Sequence, residues 1–409
     1  MSERACLVAG LALSLWTACA SPSPPPSTPA DAPQVARETP SVPVAVAVSA
    51  EEPRAPAASA SASPSATAPS PPRSSTPQAP PAPRPTTIRL ARGDHTPGDD
   101  ELAAADDAFE HGDLDVARKH YDAARAMAKG NVAASVGLAR VRIARVDVPL
   151  DYAAATGNRE VAAAAKDLAR AAKAAPSFGP AFVELGRAWL LLGDAPSALD
   201  ALRKAIQLLP DEAEAHSQLG VALLATGHAR DAAAELARAV ALDPASPARH
   251  GNLGTALMMS GRTKEAIVEY EARVRLDDRD PRAHSDLGTA LLGTQDLARA
   301  VAELARAVQG DPTRATFHSN YGFALQQSGR MDDAIAEYRA ALRLDPKLVS
   351  AWINLATAFA ANPSTRPDAR AALEKARALA PDDPRVKANL EELDALAHTG
   401  AHSEKPRGE

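Results

Sequence analysis

Cysteine is almost missing from this sequence. The 409 residues include only Cys6 and Cys19, so the chain beyond them can form neither a disulfide nor a thiolate metal site. Aromatic residues are also scarce at 3%, although hydrophobic residues reach 45% and are mostly alanine and leucine. Both of these residue types favour helices. The composition predicts an all-α fold of closely packed helices that is stabilised by packing alone.

The chain also lacks a basic cluster and the common catalytic motifs. Its formal net charge is −6 and no run of lysine and arginine stands out, which argues against nucleic acid as a partner. It contains no H-E-x-x-H, no G-x-S-x-G, no phosphate-binding loop and no glycine-rich dinucleotide turn. We therefore expect a protein that is not an enzyme and that needs no cofactor and no metal.

The first 18 residues have the pattern of an export signal. A short polar start is followed by an apolar run from about Cys6 to Ala18, which is shorter than the roughly 20 residues that span a bilayer. The stretch L-W-T-A-C resembles the lipobox of bacterial lipoprotein signal peptides, although Trp16 stands where that family usually has leucine. The resemblance implies cleavage before Cys19 and lipidation of its thiol.

Ala20 follows the cysteine where an aspartate would imply retention in the inner membrane. By the same resemblance, we expect a lipoprotein of the outer membrane that faces the periplasm and contacts the membrane through its lipid anchor. Two alternatives stay open. If Cys19 is not acylated, the protein is secreted or periplasmic; if the apolar start is fortuitous, it is cytoplasmic.

Residues 19–97 are dominated by proline, alanine and serine. Twenty of the 35 prolines lie between Pro22 and Pro97. Such a segment has few large apolar side chains to bury, so it cannot offset the entropy of ordering and is predicted to be a disordered tether. A passive spacer is the favoured interpretation, and a proline-rich ligand for another domain is the alternative.

The rest of the chain repeats itself every 34 residues. H-S-Q-L-G-V-A-L begins at His216, and related octapeptides begin at His250, His284 and His318. Three further sets of residues keep the same phase: Gly186, Gly220, Gly254, Gly288 and Gly322; Ala198, Ala232, Ala266, Ala300 and Ala334; and Pro210, Pro244, Pro312 and Pro346. A period of this length is typical of a helix-turn-helix repeat.

Small residues in both helices and a proline after the second one resemble the tetratricopeptide repeat family. The resemblance implies a right-handed superhelical solenoid of about eight hairpins. Its predicted parts are two degenerate units in 98–178 with an insertion at about 146–158, six units in 179–383, a capping helix in 384–398 and a disordered tail in 399–409. Glycine or alanine at the helix contacts would allow the close approach that this packing needs.

The repeated histidines have two interpretations. Their position holds Phe182 and Trp352 in the flanking units, which favours a packing site for a flat ring. Metal binding is the alternative. It fits the geometry poorly, because zinc ligands lie about 2 Å from the ion whereas equivalent points on packed helices lie about 8–10 Å apart.

In this family the first helices line a concave groove that takes an extended peptide or a partner helix. We predict that the groove contains Glu184, Arg187, Gln218, Asn252, Asp286, Asn320, Phe323 and Asn354. The recurring amides resemble the asparagine ladder of protein O-linked N-acetylglucosamine transferases, and amides suit a peptide backbone. A merely solvated helix face is the alternative. The basic residues with which chaperone-binding members clamp a carboxylate are missing.

These features predict a protein-binding scaffold or adaptor that is tethered to the bacterial cell envelope. By resemblance, its role is similar to that of repeat-containing pilotin lipoproteins, which help to assemble pili or secretins. One alternative is a targeting subunit that recruits a glycan or cell-wall enzyme in trans. Another is a soluble cytoplasmic scaffold.

Overall fold

The computed structural model describes residues 88–93, 96–146, 148 and 152–401. The predicted signal peptide, Cys19, most of the tether and the end of the tail lie outside these residues. Within them every regular element is a helix, which confirms the all-α prediction. The chain divides into two compact units, and the boundary falls between Ser246 and Pro247.

The first unit has four helical hairpins in its described residues. Its helices are α1 Pro97–His111, α2 Leu114–Met127, α3 Val132–Ala144, α4 Arg159–Ala174, α5 Gly179–Leu192, α6 Ala195–Leu208, α7 Ala213–Ala225 and α8 Ala229–Leu242. Side chains at the turns define several helix starts: Asn131 caps α3, Asn158 caps α4 and Asp194 caps α6, each by accepting a backbone N–H.

The second unit has four hairpins and a final helix in its described residues. Its helices are α9 Pro247–Met259, α10 Thr263–Leu276, α11 Pro281–Gly293, α12 Leu297–Gly310, α13 Ala315–Gln327, α14 Met331–Leu344, α15 Val349–Ala360, α16 Arg366–Leu379 and α17 Pro384–Ala401, with a 3-10 turn at Pro363–Thr365. The final helix runs three residues beyond the predicted end of the cap, so the tail begins later than residue 399.

The repeated glycines provide room for a large side chain of the same hairpin. A Cβ atom at Gly220 would lie 2.4 Å from Leu236, and one at Gly254 would lie 2.6 Å from Tyr270. Gly186, Gly288 and Gly322 face the residue sixteen positions further on in the same way. The predicted reason for the small residues, close helix contact, is therefore confirmed within each hairpin.

The last hairpin has an alanine, Ala356, at the glycine position. The turn before its second helix is one residue longer than in the preceding hairpin, so the residue equivalent to Tyr338 is Leu373, seventeen positions after Ala356. Ala356 and Leu373 are both buried in one apolar cluster. This hairpin therefore keeps a small residue on its first helix and a large one on its second helix.

The hairpin turns use a left-handed backbone that suits glycine. Gly227, Gly261 and Gly329 have φ near +80° and follow the 34-residue period, but the fourth equivalent position is Gln295, with φ +61°. A side chain in this region of φ costs about 1–2 kcal/mol. The chain therefore keeps one strained turn between α11 and α12.

We expect Gln295→Gly to raise the free energy of unfolding by about 1 kcal/mol, because the exposed glutamine side chain contributes no contact that offsets the strain. Urea denaturation of the two proteins measures the difference. The reverse change at the matching turn, Gly261→Gln, should lower stability by a similar amount. A loss of stability in Gln295→Gly would contradict this explanation.

The prediction that the tether reaches residue 97 is wrong for residues 88–93. Ile88 and Leu90 are buried, and Asp106 accepts the backbone N–H groups of Leu90 (2.6 Å) and Ala91 (3.0 Å). The composition of residues 19–97 concealed this segment, because only its last residues carry the large apolar side chains that allow ordering.

The insertion between α3 and α4 contacts the end of α5. The N–H groups of Ala153 and Ala155 donate to the carbonyls of Leu190 (2.9 Å) and Leu191 (2.8 Å), and the hydroxyl of Tyr152 donates to the carbonyl of Gly193 (2.8 Å). These carbonyls lie in the last turn of α5 and at the residue that follows it, where a helix leaves carbonyl groups without its regular hydrogen bonds. The described part of the insertion therefore caps α5.

The repeated histidines are structural, as the packing interpretation predicted, but they are also paired. Nδ1 of His216, His250, His284 and His318 lies 2.6–2.7 Å from a glutamate 19 residues further on. Nε2 of His216, His284 and His318 donates to the carbonyl six residues earlier, and Trp352 Nε1 does the same. Both nitrogens of these three rings are engaged, so neither has a lone pair free for a metal ion.

Candidate functional site

The predicted groove residues fall into two groups, because Glu184, Arg187 and Gln218 belong to the first compact unit and the others to the second. In the first helix of each hairpin from α5 onwards, one position holds the repeated histidine or another ring, such as Phe182 in α5 and His318 in α13. We call this the ring position. The groove-facing register is the set of residues that come one, two and five positions after it.

In the first unit the candidate residues form an internal polar network. Glu184 is fully buried, and its carboxylate lies 3.4 Å from Nη1 of Arg187. Nη2 of the same arginine lies 3.4 Å from Glu214, which also accepts a hydrogen bond from the amide of Gln218 (2.7 Å). The prediction that Glu184 is available to a partner is therefore wrong, since no solvent-exposed surface of this residue remains.

The network favours the charged form of Arg187. Burial lowers the pKa of its guanidinium, but the carboxylates of Glu184 and Glu214 outweigh that effect and the net shift is upward. Neither carboxylate oxygen of Glu184 has a hydrogen bond in the described ranges. The polar groups of this cluster are therefore buried between helices, where a ligand does not reach them.

In the second unit three candidate amides are open. Asn252 on α9, Asn320 on α13 and Asn354 on α15 are half-buried and occupy the same register. None of the three side chains has a hydrogen bond to any residue in the part of the chain that the structure describes. Helices α9, α11, α13 and α15 pack side by side in this unit, so the amides recur along one face.

The fourth member of this row, Asp286 on α11, is paired inside the protein. Nη1 of Arg273 donates to Asp286 and Nη2 donates to Asp280, both at 2.6 Å. Burial raises the pKa of Asp286 to about 6 against the opposing effect of Arg273, so the carboxylate is ionised at neutral pH. Asp286, one of the predicted groove residues, is thus already paired with Arg273.

Arg273 also explains a break in the repeat. Other units have alanine at this position, and the arginine fits because Gly251 leaves space: a Cβ atom there would lie 2.8 Å from its Nη1. The repeat thus departs from its usual residues at four positions, which are Gly251, Arg273, Asp280 and Asp286. The departures are visible in the sequence, and the opposite charges of the arginine and the aspartates were the signal for the ion pairs.

Phe323 lies in the groove-facing register of α13 but packs against buried residues of the second unit. It is half-buried, so only part of its ring is available to a partner. Its main contribution is to the packing between the last hairpins, and the three asparagines remain the open polar groups of this face.

The sequence reasoning missed a buried polar site in the first unit. Asp106 on α1 and Arg140 on α3 are 0% and 1% exposed and form an ion pair. The hydroxyl of Tyr121 donates to Asp106 (2.6 Å) and accepts from Arg140. The sequence did contain a signal for this site. In G-L-A-R, the charged Arg140 directly follows residues that are typical of the core of a first helix.

The structure shows neither a metal cluster nor a membrane-spanning helix in the residues it describes. No group of three or more histidine, cysteine or acidic side chains is arranged to hold an ion in these ranges. None of the helices described above is long and apolar enough to cross a bilayer.

Comparisons with solved structures return other helical repeat proteins. MamA from Desulfovibrio magneticus RS-1 is 22% identical over 42% of this chain and 96% of that chain, with a TM-score of 0.39. YrrB, described as a TPR protein with an unusual peptide-binding site, is 23% identical over 47% of this chain and 99% of that chain, with a TM-score of 0.39.

The hetero-tetramer Cut9–Hcn1 of the APC/C gives a TM-score of 0.53 at 16% identity, over 72% of this chain and 55% of that chain. A likeness at this identity concerns the fold alone. None of the curated proteins compared with the chain matches it.

Two models of the tetratricopeptide repeat match the sequence. One matches residues 102–155, 153–213, 285–349 and 322–384, and the other matches residues 190–251 and 223–290. Together the matches run without a gap from residue 102 to residue 384, which is more than half of the 409 residues. Because these models cover the hairpins and the small residues have the contact role that the repeat requires, the chain belongs to the tetratricopeptide repeat family.

Proposed function

We propose that this chain is a non-enzymatic scaffold whose second unit binds an extended peptide of a partner protein. Membership of a family of protein-binding repeats supports the general role. The observation that carries the specific proposal is the row of Asn252, Asn320 and Asn354, three half-buried amides in one register without partners among the described residues. Amides in such positions can exchange hydrogen bonds with water for hydrogen bonds with a ligand.

The spacing of the amides suits a peptide backbone. Each asparagine offers both a donor and an acceptor, as each peptide group does. Packed helices lie about 8–10 Å apart and an extended chain advances about 3.3 Å per residue, so one member of the row, Asp286 included, would meet about every third peptide group. Recognition of this kind depends little on the side chains of the peptide.

The electrostatics of the face favour a peptide without a strong charge requirement. The acidic residue of the row, Asp286, is already neutralised by Arg273 at 2.6 Å. The face lacks, among its described first-helix residues, the cluster of lysines and arginines that would hold a terminal carboxylate. Nucleic acid is disfavoured for the same reason.

The peptide proposal predicts that Asn252→Ala/Asn320→Ala/Asn354→Ala reduces partner retention at least tenfold. Each lost hydrogen bond is worth about 0.5–1.5 kcal/mol, and about 1.4 kcal/mol corresponds to a factor of ten. The full chain would be immobilised and exposed to cell-envelope extract, and retained proteins would be quantified by mass spectrometry.

A matched triple variant, Lys264→Ala/Gln309→Ala/Asp332→Ala, changes exposed polar residues on the second helices of the same unit. It should retain the partner as the unaltered chain does. Equal retention by both triple variants would move the binding site away from the amide row.

The proposal also places the chain in the cell envelope, anchored to the outer membrane through Cys19 and facing the periplasm. The tether would let the repeats reach partners in a complex such as a pilus or a secretin. The lipobox-like stretch L-W-T-A-C supports this location.

We expect Cys19→Ala to move the protein from the membrane fraction to the soluble fraction, because acyl chains supply the membrane affinity. Fractionation followed by immunoblotting measures the change, and Cys6→Ala serves as the control. An unchanged distribution of Cys19→Ala would favour a protein without a lipid anchor.

A further inference from the structure

The segment 88–93 has no regular secondary structure and lies against the first helices of the first unit. Ile88 and Leu90 are buried, whereas Arg89 between them is exposed. Residues 88–92 can span about 16 Å, which is sufficient for two spacings of about 8 Å between neighbouring helices. The segment is therefore long enough to contact three first helices in turn.

The backbone of the segment is held by side chains of these helices. Asp99 accepts the N–H groups of Arg92 (2.6 Å) and Gly93 (2.7 Å) near the start of α1. Further along α1, Asp106 accepts those of Leu90 and Ala91 at 2.6 and 3.0 Å. On α3, Nη1 of Arg140 donates to the carbonyl of Ile88 (2.7 Å).

The contacts of Ile88 continue onto α5. Its side chain belongs to a buried apolar cluster that contains Val183, the residue directly after the ring position of that helix. From residue 88 to residue 93 the segment thus runs from α5 to α3 to α1, against the order of the hairpins. Within the described residues the backbone hydrogen bonds of the segment are to side chains of the helices, unlike those of a peptide that adds a strand to a sheet edge.

The register places the contacts of Asp106 on α1 and Val183 on α5 on the groove-facing side. Glu101 and His120 repeat the pairing of His318 and Glu337, with the same separation of 19 residues and the two residue types exchanged. Glu101 therefore marks the ring position of α1, and Asp106 is the fifth residue after it, as Phe323 is after His318. Val183, the first residue after its ring, lies in the same register.

We propose that the groove-facing side of α1, α3 and α5 is a peptide-binding surface whose occupant in the free chain is residues 88–93. It accepts an extended segment with large aliphatic side chains two residues apart, and Asp106 and Arg140 hold the backbone of that segment. A partner protein with such a segment binds this unit by displacing residues 88–93. The proposal is independent of the asparagine row in the second unit.

The test uses the full chain and a fluorescent peptide with the sequence of residues 86–95, T-T-I-R-L-A-R-G-D-H. Ile88→Asp/Leu90→Asp places two carboxylates in apolar positions and should free the surface. We expect the peptide to bind this variant saturably and at least tenfold more tightly than the unaltered chain. The same peptide with both aspartate substitutions should not bind. Val268→Asp/Leu276→Asp, at two exposed apolar positions, should behave like the unaltered chain.

The proposal would be overturned if Ile88→Asp/Leu90→Asp kept its helices but did not bind the peptide. It would also be overturned if that variant lost its helical structure. Either result would make the segment an integral part of the fold.

Hydrogen exchange of the unaltered chain gives a second test. The amides of Leu90 and Ala91 should exchange at least tenfold faster than the amide of the buried Leu304, because displacement requires the segment to open without unfolding. Equal rates would contradict displacement.

Discussion

Asp106→Ala should lower the free energy of unfolding of the first unit by about 3–5 kcal/mol, the usual cost of removing one partner of a buried ion pair. The carboxylate is fully buried and accepts from Leu90, Ala91, Tyr121 and Arg140. Without it, the guanidinium of Arg140 stays in the core with no counter-charge. Chemical denaturation followed by circular dichroism measures the loss.

The neighbouring residue provides a matched control. Asp107 is 59% exposed and pairs with Arg89 on the surface. Exposed ion pairs contribute little to stability, so Asp107→Ala should change the free energy of unfolding by about 0.5 kcal/mol or less. Similar losses in the two variants would show that the buried network does not stabilise this unit.

Gly254→Leu is expected to destabilise the second unit by about 1–3 kcal/mol through overpacking. The first atom of any side chain at this position would lie 2.6 Å from the ring of Tyr270, inside van der Waals contact. The ring is buried and cannot move into solvent. The contact can relax only if α9 and α10 separate, which weakens the whole hairpin.

Gly98→Leu is the control, because a Cβ atom at Gly98 meets no atom within 4 Å. It should leave the melting temperature nearly unchanged. Tyr270→Ala should reduce the cost of adding a side chain at residue 254, since it removes the ring that a Cβ atom there would meet. Additive losses in the double variant would mean that the two residues do not oppose each other.

The 34-residue period predicted the fold because the packing constraint is local. Gly220 faces Leu236, sixteen residues away, and the hairpins that begin with α5, α9, α11 and α13 repeat the same contact, so the sequence shows it several times. The pairing of His216 with Glu235 was equally visible but was not recognised. The signal was that histidine and glutamate occur together. Units with Phe182 or Trp352 in place of the histidine have alanine 19 residues further on, whereas the histidine units have glutamate there.

Contacts that occur only once could not be predicted in the same way. Burial of Ile88 and Leu90 depends on Asp106 and Arg140, which come from two different helices and have no counterpart in the period. The burial of Glu184 likewise depends on its neighbours in space. A position in the repeat predicts the direction of a side chain, whereas its exposure depends on what covers it.

The open amides of the second unit carry the central claim, and site-specific photocrosslinking tests it most directly. A benzophenone amino acid would replace Asn320 in the full chain, and the same replacement at the exposed Gln309 on α12 would serve as the control. Peptide binding in the groove predicts a discrete protein adduct from position 320 and none from position 309. Adducts from position 309 alone would contradict it.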